Sequence, residues 1–144
     1  MKKLILILVA GFVLYGYIEN NPGLLQTYLP NDSADNRQVT SAFQKQQSDI
    51  QVRGSGTVAR LLPDDNKGSR HQRFILSVAP GQTMLVAHNI DLAPRINALK
   101  KGDTVSFYGE YEWNSKGGVL HWTHRDPRGR HPGGWLKHNG QTYQ

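Results

Sequence analysis

Thr104-Val-Ser-Phe-Tyr-Gly-Glu-Tyr-Glu-Trp113, drawn as an extended strand, has two unlike faces. Val105, Phe107, Tyr111 and Trp113 share one; Ser106, Tyr108, Glu110 and Glu112 share the other. A period of two with one apolar face belongs to a strand that lays that face on a core. Lys101-Gly-Asp103 reads as the turn that leads into it. Gly109 interrupts the apolar face, and a glycine in mid-strand marks a bulge or sharp bend of the kind a small closed barrel needs.

The flanking sequence supplies partners for this strand. Gly54 to Leu62 reads as a first strand with Val58 and Leu62 on one face, and Pro63 to Gly68 as a turn. His71 to Ala79 is a second strand with Phe74, Leu76 and Val78 inward. Pro80-Gly-Gln82 is a tight connection into a third, Thr83 to His88. Alternation is lost from Asn89 to Leu99, where a short helix interrupted at Pro94 is expected to cover one end of the sheet with Ile90, Leu92 and Ile96. Asn114 to Gly118 turns the chain into a fifth strand, Val119 to Arg125, stopped by Pro127. Trp135 to His138 and Gln141 to Gln144 form a terminal hairpin on an Asn139-Gly140 turn.

Three strands, a short helix and two strands are the order of an OB fold. The expected architecture is mainly β: a small OB-like five-stranded barrel over residues 51–144, with a short helix between strands 3 and 4 and a C-terminal hairpin. An SH3-like or other small barrel is the alternative.

Composition bears on the rest of the chain. Hydrophobic residues are 38% of the total, and residues 4–18 are almost wholly apolar behind Lys2 and Lys3. A positive cap before an apolar run marks a signal or signal-anchor at residues 1–18. Gly16 has no small residue two positions away to complete a cleavage site, so an uncleaved helical anchor is expected. The lysines then stay on the cytoplasmic side and the domain faces out. Residues 19–50 are a polar linker with turn signals at Asn20-Asn-Pro-Gly23 and Pro30 to Asp35. From Asn36 to Gln47 a helical period appears, with Val39, Ala42 and Phe43 on one face and Asp35 or Asn36 as its cap. There is no cysteine, which excludes disulfides, thiolate metal sites and a cysteine-linked lipid anchor.

The segments Leu85 to Ile96 (LVAHNIDLAPRI), Gly109 to His131 (GEYEWNSKGGVLHWTHRDPRGRH) and Gly133 to Tyr143 (GGWLKHNGQTY) resemble a bacterial family of unknown function, domain-of-unknown-function family 3465. The resemblance covers residues 52–144. It implies a small envelope or secreted protein, so the expected location is the bacterial inner membrane with the domain in the periplasm, or the periplasm or exterior if the N-terminus is cleaved. It implies no activity and carries over no catalytic residue.

Candidate chemistry concentrates at the C-terminal end. The formal charge is +6, and five of the six histidines lie at or after His88. Ser115 to Asn139 holds Lys116, Arg125, Arg128, Arg130 and Lys137 against one acid, Asp126. Trp122 and Trp135 sit among them. Cations for phosphates and flat rings for bases are what a single strand of nucleic acid requires. The expected function is a membrane-tethered, extracytoplasmic binding module for an anionic ligand. Nucleic acid is the first candidate, and an acidic glycan or lipid headgroup is next. Its ligand-binding candidates are Trp122, Arg125, Arg128, Arg130, Trp135, Lys137 and His138. A solvated basic rim is the plainer reading, and Trp122, two residues from Leu120, is a core residue on that reading.

Two other classes compete. A phosphodiester hydrolase would use His124 as a base oriented by Asp126, with His131 beside them and the arginines clamping phosphate. An envelope scaffold would use its histidines only for structure. His88, Asp91 and Arg95 are secondary candidates if the third strand's end comes beside His124. No cofactor and no metal are expected. On a strand, the odd separation of His121 and His124 sends their rings to opposite faces, and nothing in the spacing fixes a His124, Asp126 and His131 or His138 set around an ion.

Overall fold

Side chains alternate between buried and half-exposed along three strands of the chain. Phe74, Leu76 and Val78, then Met84 and Val86, then Val105, Phe107 and Tyr111 all point into one core. The structure, a computed structural model, describes residue 17 and residues 36–144. The expected anchor, apart from Tyr17, and linker residues 19–35 lie outside the described residues. Among the described residues no helix is long and apolar enough to cross a membrane.

Over the described residues 36–144 the fold is mainly β, with one short helix and seven strands. In chain order these are α1 (Arg37–Gln44), β1 (Ile50–Asp65), β2 (His71–Ala79), β3 (Gln82–Asn89), β4 (Thr104–Glu112), β5 (Val119–His121), β6 (Trp135–His138) and β7 (Gln141–Tyr143). β1, β2 and β3 pair antiparallel in sequence. β3 pairs parallel with β5, β5 antiparallel with β4, and β4 antiparallel with β1. The pairings therefore return to their start and make a ring of five strands. β6 pairs with Ser106 to Tyr108 of β4, and β7 follows as its hairpin partner. That hairpin turns on Asn139 and Gly140, both at positive φ, as an Asn-Gly turn requires.

β1 changes partner along its length. Residues 50–57 pair with β4, and residues 57–65 with β2. Its expected extent, Gly54 to Leu62, covers only the middle of this long strand. β4 also changes partner, from β6 at Tyr108 to β5 at Glu110. Gly109 sits at that exchange. The β1–β4 register runs through it unbroken, so it marks no bulge against β1. A Cβ there would lie 2.6 Å from the His121 carbonyl oxygen and 3.0 Å from the Thr123 methyl. Close approach of the chain leaving β5 is what demands a glycine.

The expected helix between strands 3 and 4 is absent; turns, a bend and irregular backbone occupy residues 90–103. Side chains take the backbone groups a helix would use. Asn89 Oδ1 accepts from the Asp91 N–H at 2.9 Å. The Gln72 amide accepts from the Ile96 N–H and donates to the Ile96 carbonyl, both at 2.9 Å. The segment still closes one end of the core, with Ala93, Ile96 and Leu99 buried. Leu92, expected to do so, is 45% exposed.

The helix lies instead before β1, where the 36–47 period placed one. Val39 and Ala42 are fully buried in the common core and Phe43 packs against it. Asn36 occupies the N-cap position without a capping bond from its side chain. Its amide donates to the carbonyls of Ser55 at 2.7 Å and Val78 at 2.6 Å, and accepts from the Ser55 N–H at 3.0 Å. It staples α1 across β1 and β2.

Candidate functional site

β5 ends at His121 because Trp122 adopts a left-handed backbone, φ 56°. The expected strand to Arg125 is cut to three residues, and the face argument built on it falls with it. His121 and His124 line the same cleft. Trp122 leaves the direction of buried Leu120 and is half-buried at the surface, so it is not a core residue.

Residues 122–134 form a loop organised by Asp126. Its carboxylate accepts from the backbone N–H groups of Arg128 at 3.0 Å, Arg130 at 2.9 Å and His131 at 2.9 Å. Those three donors, Arg128's first, hold the Asp126 carboxyl below its ordinary value of 3.8. Arg125, Arg128 and Arg130 are exposed. The same loop stacks the His131 ring on Trp122, centroids 3.9 Å apart and planes 14° apart, with His124 tilted against Trp122 at 5.2 Å.

The histidines divide by their partners. His131 Nε2 meets the Glu110 carboxylate, and its Nδ1 meets the Pro132 carbonyl at 2.8 Å. Both ring nitrogens are therefore engaged, and neither is left facing the cleft without a partner. His124, 4% exposed, donates Nδ1–H to the Arg125 carbonyl at 2.7 Å, which leaves Nε2 uncommitted. Among the described residues no hydrogen bond joins His124 to Asp126. His138 is buried and donates Nε2–H to Asp103 at 2.7 Å. That bond is the main reason the Asp103 carboxyl is held low. His88 is fully buried, donating Nε2–H to the Pro94 carbonyl at 3.0 Å and accepting at Nδ1 from the Thr123 hydroxyl at 2.8 Å. Desolvation drops its pKa from 6.5 to about 4.

The β3–β4 connection does come beside His124, since Leu92 lines the cleft with it. Asp91 and Arg95 are otherwise engaged. Asp91 takes the Arg70 backbone N–H at 2.8 Å and its guanidinium at 2.7 Å. Arg95 makes a two-pronged pair with Asp64 at 2.9 and 3.1 Å. Among the described residues no group of three His, Asp or Glu is arranged to hold a metal ion.

Trp135 and Lys137 belong to a second cluster, on the outward face of β1, β4 and β6. Arg53 lies opposite Tyr108, and Tyr108 opposite Trp135, so the three form one row across the sheet. The Arg53 guanidinium sits 5.2 Å from the Tyr108 ring and 5.5 Å from Trp135, and Lys137 Nζ is 4.7 Å from Trp135. Such cation–ring contacts hold the flat groups and charges in one layer. Arg53 and Tyr108 were not among the sequence candidates. The alternation of β4 pointed Tyr108 outward, but only the strand register tells which residues neighbour it.

A family model described as "Protein of unknown function (DUF3465)" matches residues 23–144. The chain belongs to that family. The match starts ahead of the 52–144 resemblance and takes in α1, consistent with Val39 and Ala42 lying in the core of this DUF3465 member. No relative is found among curated proteins.

Proposed function

We propose that this DUF3465 protein is an anionic-ligand-binding module, with single-stranded nucleic acid as its ligand, built on an OB-like barrel and held outside the cytoplasm by residues 1–18. The observation that carries the reading is the Arg53–Tyr108–Trp135 row with Lys137 beside it. Exposed cations over rings on an outward sheet face match a strand's alternation of phosphate and base. Asp126 adds to this by fixing a loop that presents Arg128 and Arg130. The ring order β1-β2-β3-β5-β4-β1, with β3 and β5 parallel, is that of an OB barrel and supports the fold part of the proposal.

The hydrolase reading has less support. A general base needs a free ring nitrogen and an orienting partner. His131 has no free nitrogen, and the Asp126 oxygens are spent on the loop backbone. His124 is oriented only by a backbone carbonyl.

Gel retention of labelled single-stranded DNA and RNA by the full-length chain, with and without divalent metal, tests the proposal. Retention that weakens with salt and is lost in Tyr108→Ala/Trp135→Ala supports it. Cleavage abolished by His124→Ala would replace it with the hydrolase. Neither retention nor cleavage at low salt removes nucleic acid as the ligand.

A further inference from the structure

Two clefts meet beside β5. The smaller, about 220 Å³, is lined by His71, Ala87, Asn89, Leu92, His121, Trp122 and His124. The larger, about 590 Å³, is lined by Leu92, Trp122, Asp126, Pro127, Arg128, Arg130 and His131. Leu92 and Trp122 belong to both, so the two are neighbouring chambers on either side of one apolar step.

Their chemistry differs. The smaller has apolar walls from Ala87, Leu92 and Trp122, with hydrogen-bonding groups set into them. His124 keeps Nε2 for a ligand, because Nδ1 is committed to the Arg125 carbonyl. His121 Nε2 is buried without a hydrogen-bond partner, with the Glu112 carboxylate in ion-pair range at 3.5 Å. Asn89 spends its oxygen on the Asp91 N–H, which leaves its amide hydrogens to donate. An orphaned buried nitrogen costs free energy until something bonds it. No carboxylate lines this chamber. The larger chamber carries the charge, with two exposed guanidiniums on the loop that Asp126 holds rigid.

We propose that the two chambers form one nucleoside-phosphate subsite, with the base in the histidine-lined chamber and the phosphate against Arg128 and Arg130. A flat heteroaromatic ring with donors and acceptors on its edge suits apolar walls with polar insets, the way proteins take up an unstacked base. A phosphate one sugar away suits a pair of arginines. Trp122 closes the step between them. The subsite is separate from the Arg53–Tyr108–Trp135 row and does not depend on it. The same chemistry has two sources, a free mononucleotide or the terminal nucleotide of a strand.

The test is titration of the full-length chain with AMP, CMP, GMP and UMP, with ribose 5-phosphate and inorganic phosphate as probes lacking the base. The readouts are tryptophan fluorescence and the NMR shifts of the His71, His121 and His124 rings. The expected result is saturable mononucleotide binding that moves those histidine signals. Ribose 5-phosphate and phosphate should bind at least tenfold more weakly and leave the signals in place. Leu92→Glu, at an exposed position that should not disturb folding, and Arg128→Ala/Arg130→Ala should each weaken mononucleotide binding at least tenfold. Trp135→Ala should not change it. A 5′- or 3′-phosphorylated oligonucleotide that displaces AMP and binds tighter identifies a strand end as the source; AMP binding with no such competition identifies the free nucleotide. The proposal is overturned if no mononucleotide moves the histidine signals up to millimolar concentration, or if Leu92→Glu leaves binding intact. Strand retention that survives Leu92→Glu but not Trp135→Ala, in a chain whose histidine signals no mononucleotide moves, would remove this subsite and leave the sheet-face reading standing.

Discussion

His88 is fully buried and, with its pKa lowered to about 4, neutral near pH 7, so acid acts on the fold through it. Its pKa falls from 6.5 to about 4, through burial first and then the nearby His124 and His71, against the opposing hydrogen bond to Pro94. The unfolded chain therefore binds the proton more readily. Stability from this group is complete above pH 6.5 and declines as pH falls toward 4, by roughly 3 kcal/mol in all. Urea midpoints measured from pH 7.5 to 4 should drop across that window. In His88→Gln, which keeps a donor and an acceptor, the drop should shrink to what the remaining groups supply. A wild-type midpoint flat from pH 6.5 to 4.5 would refute this assignment. The burial of His88 was legible, since it falls on the Met84 and Val86 face of β3. Its partners were not, because Thr123 reaches it only through the β3–β5 pairing. The same holds for His131, whose Glu110 partner is 21 residues away.

Among the elements, α1 depends on one side chain as much as on its apolar face. Asn36 satisfies the Ser55 N–H and two carbonyls where β1 passes from β4 to β2. Asn36→Ala leaves those part-buried groups without that partner and should cost about 2–3 kcal/mol in chemical unfolding. Gln38→Ala removes only an exposed acceptor of the Arg53 N–H and should stay within about 0.5 kcal/mol. Equal effects of the two would mean that Asn36 is no staple. Gly109→Ala tests the partner exchange on β4 in the same way. Its methyl must displace the His121 carbonyl at 2.6 Å, so a loss of about 2 kcal/mol or more is expected, with His121 and Thr123 amides shifting in NMR spectra. Strands β2, β3 and β4 were readable because each keeps strict alternation against one core. β5 was overread because Trp122 turns left-handed where the sequence goes on looking like a strand. The helix after β3 was overread because apolar spacing at Ile90, Leu92 and Ile96 says nothing of side chains elsewhere that capture the backbone; Gln72, on β2, is 24 residues from Ile96.

At the scale of the molecule, strand order and ring closure decide which charges stand together. The sequence placed five cations in residues 115–139, but closure on β1 brings Arg53 to Trp135 and the buried His138–Asp103 pair takes His138 out of the surface set. Most acids near these groups are already committed: Asp64 to Arg95, Asp91 to Arg70, Glu110 to His131 and Asp126 to loop amides. Among the described residues of the β1–β4–β6 face and the 122–134 loop, the exposed cations are Arg53, Lys137, Arg125, Arg128 and Arg130. If all five contact phosphates of a single strand, the logarithm of the binding constant should fall against the logarithm of salt concentration with a slope of about −3.5. Arg128→Ala/Arg130→Ala should flatten that slope by about 1.4, because two contacts release no counterions. Tyr108→Ala/Trp135→Ala should act differently. It removes stacking worth roughly 1–3 kcal/mol per base and lowers affinity at every salt concentration while leaving the slope unchanged. Fluorescence anisotropy with a labelled oligonucleotide from 50 to 300 mM salt measures both quantities at once. Parallel loss of slope in the aromatic and arginine variants would mean that the rings only position the cations. A slope near zero in the wild type would mean that this basic surface does not bind through phosphates.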